Sequence, residues 1–198
     1  MSGKPQYDEG AVMDAAVDAF WRHGYAATTI HVLTEATGLS RSSLYQRFRD
    51  KDGLFQAALA TYTDRVLRRM KSHEGGSSRA RLEALLRGLL PTGSRRPPGC
   101  LLARSCAELV DLPPEGRKAA ISGMSQQRHL LEDLLREAIA GGELPRGADV
   151  AALAWYFLGV MQAVLDLPQA GATRSEMEQM IAVAMRAWPA AGIGQTRS

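Results

Sequence analysis

The sequence predicts an all-α protein, with a three-helix helix-turn-helix head followed by a larger helical body. Three observations predict it. Apolar residues recur at helical spacing in nearly every segment, as in the Ala11, Val12, Ala15, Ala16, Ala19 and Phe20 stripe of residues 8–23. No segment alternates as a half-buried strand does. And residues 28–55 hold two short helical patterns separated by a glycine, with a third beginning at once.

In chain order, the first helix is expected over residues 8–23, stopped by Gly24. Thr28 and Thr29 offer hydroxyls to cap a second helix, on which Ile30 and Leu33 supply the apolar side. Gly38 allows a turn through positive φ at little cost. Ser40 caps the third helix, whose Leu44 and Phe48 share a face. Asp50 caps a fourth helix over residues 51–72, with Leu54, Phe55, Ala58, Leu59, Tyr62, Val66 and Met70 as its buried side.

The His73–Ser78 stretch reads as a joint, and further helices are expected over 79–90, 100–110, 115–140, 149–167 and 173–188. Leu130, Leu131, Leu134, Leu135 and Ala138 form the inward side of the 115–140 helix. The 149–167 helix is apolar on nearly every face and is expected to be buried all round. Residues 91–99 read as a loop and 189–198 as a loose tail. The expected domains are 1–50 (head), 51–72 (connecting helix) and 73–198 (body).

The bulk composition agrees with a globular chain. Of 198 residues 45% are hydrophobic, enough for a real core, and the net charge is only +3. No apolar run approaches the ~20 residues of a membrane span, and MSGKPQYDEG has no apolar signal region, so no membrane partner and a cytoplasmic location are expected. Two cysteines are too few for a disulfide framework.

Function is carried by the third helix. Outside its apolar face stand Arg41, Ser42, Ser43, Tyr45, Gln46 and Arg47, hydrogen-bonding groups on a helix small enough for the major groove of DNA. Arg41, Arg47, Arg49 and Lys51 oppose only Asp50 over residues 41–51, a cluster suited to phosphate. Enzymatic signatures are absent: no Gly-rich phosphate loop after a strand, no nucleophile elbow, no HExxH, no carboxylate pair at a fixed spacing.

The block Gly24-Tyr25-x-x-Thr28-Thr29-Ile30, then LTEATGLS from Leu33 and LYQRFRDKDGLF from Leu44, resembles the N-terminal domain of the TetR family of transcriptional regulators. The likeness is dense over residues 8–60. Downstream it thins to Gly99-Cys100-Leu101-Leu102 followed by Glu108-Leu109, similar to one subgroup. Departures are Leu33-Thr34 where Ile-Ala is usual and Ala36-Thr37-Gly38 where Ala-Ala-Gly is frequent; the Thr34 hydroxyl needs a partner, most cheaply a carbonyl of its own helix.

The resemblance implies a DNA-binding head joined to a ligand-binding and dimerisation body. The partners it implies are a palindromic double-stranded DNA operator, a small and largely apolar effector, and a second copy of the chain held through residues 149–188. No cofactor is expected, and two cysteines with no clustered histidine argue against a structural metal site. Carried over by position, Thr29, Tyr45 and Lys51 would touch phosphate, Arg41, Ser42 and Ser43 would face bases, and Gln46 or Arg47 would work at the groove edge. Arg41 has the chemistry for a bidentate guanine contact. Two heads would sit about 34–36 Å apart. Leu101, Leu102, Met124, Gln127, Trp155, Tyr156 and Met161 are the expected pocket residues.

Two other readings remain open on the sequence. One is a thiol-based regulator using Cys100 and Cys106, with Arg104 lowering a thiol pKa, although six residues of helix set the two thiols about 120° apart. The other is a helical small-molecule-binding protein without operator specificity.

Overall fold

A computed structural model describes residues 8–72, 75–91 and 97–189, and every regular element among them is helical. The expected tail, and parts of the joint and of the 91–99 loop, lie outside the described residues. The chain divides into two compact units. One takes in the described residues of Met1–Val66 and Arg95–Met124, the other those of Leu67–Ser94 and Ser125–Ser198.

In the first unit, α1 (Glu9–Ala27) is capped by Asp8, whose carboxylate accepts the Gly10 N–H at 2.9 Å. Its buried side is Val12, Ala16, Val17, Ala19 and Phe20. Val17 belongs to this stripe, whereas Ala11, expected inside, is exposed. The helix breaks at Gly24 (φ 76°, ψ 174°) before a last turn to Ala27, so the predicted stop is a kink.

α2 (Ile30–Thr37) and α3 (Arg41–Phe48) follow, capped by Thr29 and Ser40 through the N–H groups of Val32 and Ser43. Gly38 turns between them at φ 70°. Thr28 does not cap α2. Fully buried, it donates its hydroxyl backward to the Gly24 carbonyl at 2.5 Å, because the kink leaves that carbonyl without a helical partner. The Thr34 hydroxyl donates to the His31 carbonyl at 2.8 Å, as its chemistry requires.

α4 (Lys51–Lys71) starts at Asp50, which accepts the Gly53 N–H at 2.8 Å. Leu54, Phe55, Ala58, Leu59 and Tyr62 are buried, while Val66 and Met70 are only half-buried. Phe20, Tyr25 and Phe55 form an aromatic cluster, with Phe55 4.9 Å from each of the other two ring centres. α6 (Leu101–Ala107) and the start of α7 (Pro114–Ala140) close this unit. A side chain at Gly123 would meet Leu102 at 2.6 Å and Thr63 at 2.7 Å, so the close approach of α7 requires glycine.

In the second unit, α5 (Ser78–Gly88), the rest of α7, α8 (Val150–Asp166) and α9 (Arg174–Ala184) build a separate core. Leu82, Leu86, Leu131, Phe157, Met161 and Ile181 are buried in it. Leu130 and Leu134, expected inward, are half-buried, while Leu131, Leu135 and Ala138 are buried. The Glu143 carboxylate accepts the N–H groups of Ser78 and Arg79 at 2.7 and 3.0 Å and so satisfies the first turn of α5. Glu132 is a buried carboxylate ion-paired to Arg128 and Arg136.

α8 is not buried all round within one chain. Ala154, Phe157, Leu158, Met161 and Val164 form its inner stripe at helical spacing. Trp155 is 57% exposed and Tyr156 42%, and Ala151, Ala152 and Gly159 are exposed with them. α5 and α9 pack against α8, and the face that carries Trp155 and Tyr156 stays open within one chain. With the 3₁₀ turn that follows it, this segment (Val150–Ala170) is also long and apolar enough to cross a membrane, contrary to the expectation from the sequence. The core helix of a soluble protein passes the same test.

Candidate nucleic-acid interface

The interface grows out of local rules. Caps at Thr29 and Ser40 and the left-handed Gly38 fix two eight-residue helices, and Leu33 and Leu44, both fully buried, anchor them to the core. Apart from Phe48, half-buried on the same face as Leu44, the rest of α3 points outward. Arg41, Ser42, Tyr45, Gln46 and Arg47 are exposed and Ser43 is half-buried. Thr29 is exposed at the N-terminus of α2, where free N–H groups favour an anion.

The polar groups are partly organised already. The Ser40 hydroxyl lies 2.9 Å from those of both Ser42 and Ser43. The Arg41 guanidinium stands 5.6 Å from the Tyr45 ring centre, within cation–π range, so the two neighbours on α3 support one another. Arg47 is ion-paired with Glu9 at the start of α1.

Lys51 has an internal partner. Its ammonium donates to the Tyr25 carbonyl at 3.0 Å and lies 4.0 Å from the Tyr25 ring centre. Burial pushes its pKa below the usual lysine range, against the raising pull of Asp52. Tyr25 is a junction of the head. Its N–H donates to Glu108 at 2.9 Å and its hydroxyl donates to Asp52. Burial, then the Asp52 hydrogen bond and charge, push the phenol well above the usual tyrosine range. Sequence reasoning did not single out Tyr25 or Glu108 as structural partners. Their only signal was membership in the two blocks that carry the family likeness.

The candidate pocket residues divide between the two units. Leu101 and Leu102 are buried and Met124 half-buried in the first. In the second, Gln127 and Met161 are buried, whereas Trp155 and Tyr156 lie on the open side of α8. The Gln127 Nε2 donor, and both amide atoms of Gln162, have no hydrogen-bond partner among the described residues.

Neither cysteine is in a disulfide; Cys100 is buried and Cys106 half-buried. The expectation that Arg104 lowers a thiol pKa is corrected. Arg104 Nε is bound to Glu108 at 3.0 Å, and burial, with the Cys100 charge second, pushes the Cys106 thiol up. Among the described residues no group of three or more His, Cys, Asp or Glu side chains is placed to hold a metal.

Two family descriptions match the chain: "Bacterial regulatory proteins, tetR family" over residues 12–58, and "Tetracyclin repressor-like, C-terminal domain" over residues 78–185. A relative, the HTH-type transcriptional repressor ComR of Escherichia coli, is 30% identical over 193 residues, covering 94% of this chain and 92% of its own. Among solved structures, a cysteine mutant of the TetR family regulator CifR in complex with 26 bp double-strand operator DNA is 28% identical. It superposes with a TM-score of 0.80 over 94% of this chain and 100% of its own. The uncharacterised HTH-type transcriptional regulator YezE of Bacillus subtilis is 25% identical, covering 91% of this chain and 94% of its own. The chain belongs to the TetR family of transcriptional regulators.

Proposed function

We propose that the protein is a homodimeric repressor that binds a palindromic operator and leaves it when a small, largely apolar effector enters the body. The observation that carries this reading is the outward face of α3. A short, capped helix presents Arg41, Ser42, Tyr45 and Gln46 to solvent beside Ser43 and Arg47. Eight residues of helix reach too few base pairs to specify a site alone, so a second copy is needed. The open apolar side of α8, with Trp155 and Tyr156, together with Val183 of α9 (57% exposed), supplies a surface for it.

In this reading Arg41, Ser42 and Ser43 face bases. Thr29 and the Tyr45 hydroxyl hold backbone phosphate, and Gln46 and Arg47 act at the groove edge. The Glu9 carboxylate on Arg47 is exchanged for DNA on binding. Effector binding repacks the body helices, and α4, with residues in both units, carries the change to the head. A coupling of about 1–3 kcal/mol is enough for a useful switch when the effector prefers the released state. Cytoplasmic location follows from the DNA partner.

The test is a mobility shift with the promoter region of the protein's own gene against a scrambled fragment at moderate salt. Stronger binding to the promoter fragment is expected. Equal, weak binding to both sinks the operator reading and favours a helical small-molecule-binding protein.

A further inference from the structure

Three covered polar atoms of the second unit have no hydrogen-bond partner among the described residues. They are Nε2 of Gln127, on α7, and both amide atoms of Gln162, on α8. Gln127 is only 1% exposed, whereas Gln162 shows part of its stem to solvent and keeps its amide covered. Covered amide groups without partners are costly, and leucine or methionine would fill the same volume without that cost. The other buried polar residues described in this unit are satisfied. Ser78 is bound to Glu143, and Glu132 lies between Arg128 and Arg136.

The two glutamines stand on neighbouring helices. Arg128 of α7 places its guanidinium 5.3 Å from the ring centre of Trp155 of α8. Gln127 is next to Arg128 in the chain, and Gln162 is two turns of helix beyond Trp155. Each glutamine shares a helix face with a buried leucine four residues away, Leu131 for Gln127 and Leu158 for Gln162.

Their chemistry restricts a ligand. The Gln162 amide offers a donor and an acceptor together, and the Gln127 Nε2 offers a further donor. A carboxamide complements both, because its carbonyl accepts and its N–H donates. An ionised head group finds no counter-charge, since Glu132 is the one buried charged residue described in the unit and its charge is already matched by two arginines.

We infer that Gln127 and Gln162 form the polar end of a ligand site in the body, which takes an uncharged carboxamide carried on an apolar group and rejects the matching acid and amine. This names the chemical class of the effector and rests on the effector reading above.

The probes are two matched sets, hexanamide with hexanoate and hexylamine, and benzamide with benzoate and benzylamine. Calorimetry and melting of the full-length chain at neutral pH read their binding. In at least one set the amide is expected to bind more tightly than its acid and its amine. Gln127→Leu and Gln162→Leu are each expected to weaken amide binding by about tenfold. Without ligand both variants are expected to melt no lower than wild type, because the unpartnered atoms are gone. No preference for the amide in either set, or a preference that survives in both variants, overturns the site. So does a lower melting temperature of both ligand-free variants without amide binding by wild type, the mark of glutamines that serve only a hydrated core. Release is read separately, by adding the amides to the promoter complex. If they bind the protein and leave that complex intact, the effector reading falls and the site stands.

Discussion

The carboxylate of Glu108, at the end of α6, accepts the backbone N–H of Tyr25 at 2.9 Å across 83 residues of sequence. It does so just after the kink at Gly24, where the chain leaves the helix and an N–H loses its intrahelical acceptor. The other oxygen of the same carboxylate is held by Arg104. The corner from which Thr29 and α2 depart is therefore pinned by a side chain from a distant segment of the same unit.

Gly24→Ala should disturb this corner twice. The φ of 76° is unfavourable for alanine, and its Cβ would fall on the Glu108 carboxylate. Losing the charge-assisted bond as well brings the expected destabilisation to about 2–4 kcal/mol. Denaturant unfolding checks it, and a change under about 0.5 kcal/mol, the scale of an ordinary surface substitution, refutes the role assigned to the glycine.

Arg41→Ala should lose discrimination as well as affinity, by about 1–3 kcal/mol for a bidentate base contact. Competition between the promoter fragment and a scrambled duplex reads this directly. A variant that binds both duplexes more weakly by the same factor would show a phosphate contact instead.

Glu143→Gln should lower the melting temperature at neutral pH by about 2–4 °C, the effect of roughly 1 kcal/mol in a chain of this size. Burial acts to raise the Glu143 pKa, but hydrogen bonds from the N–H groups of Arg79 and Ser78 and from the Ser78 and Ser77 side chains together outweigh it, and the net direction is downward. A depressed folded-state pKa stabilises above the ordinary carboxylate pKa and ceases to do so as pH falls through the folded value. The gap between wild type and variant should therefore be full at pH 7 and close in acid. A gap that widens on acidification contradicts the capping role.

If two copies pair through the open side of α8, as proposed, Trp155→Glu should convert dimer to monomer, with a loss of about 2–4 kcal/mol for a buried aromatic anchor. In this chain the Trp155 ring carries the Arg128 guanidinium 5.3 Å from its centre and is otherwise largely open. Sedimentation at micromolar concentration measures the outcome. A variant that sediments as wild type removes this face from the interface.

Much of the head was legible because its determinants are local. Thr29, Ser40 and Asp50 each bind a backbone N–H three residues on, and Gly38 turns the chain without help from elsewhere. Spacing alone reveals such contacts. Thr28 was misread because its acceptor exists only once Gly24 kinks α1, and the α1 stripe slipped from Ala11 to Val17 because packing chooses which edge is covered. α8 was misread for a related reason: an all-apolar helix states that its surface should be covered, not that its own chain covers it.

By itself the sequence determined the helices, the caps at Thr29, Ser40 and Asp50, the turn between α2 and α3 and the outward chemistry of α3, since all of these depend on residues within a turn of one another. Only the tertiary structure decided that Lys51 turns inward onto Tyr25, that Glu108 holds the Gly24 corner and that Trp155 stays in the open. Those outcomes hang on which distant segments approach, a matter of packing that no local spacing records.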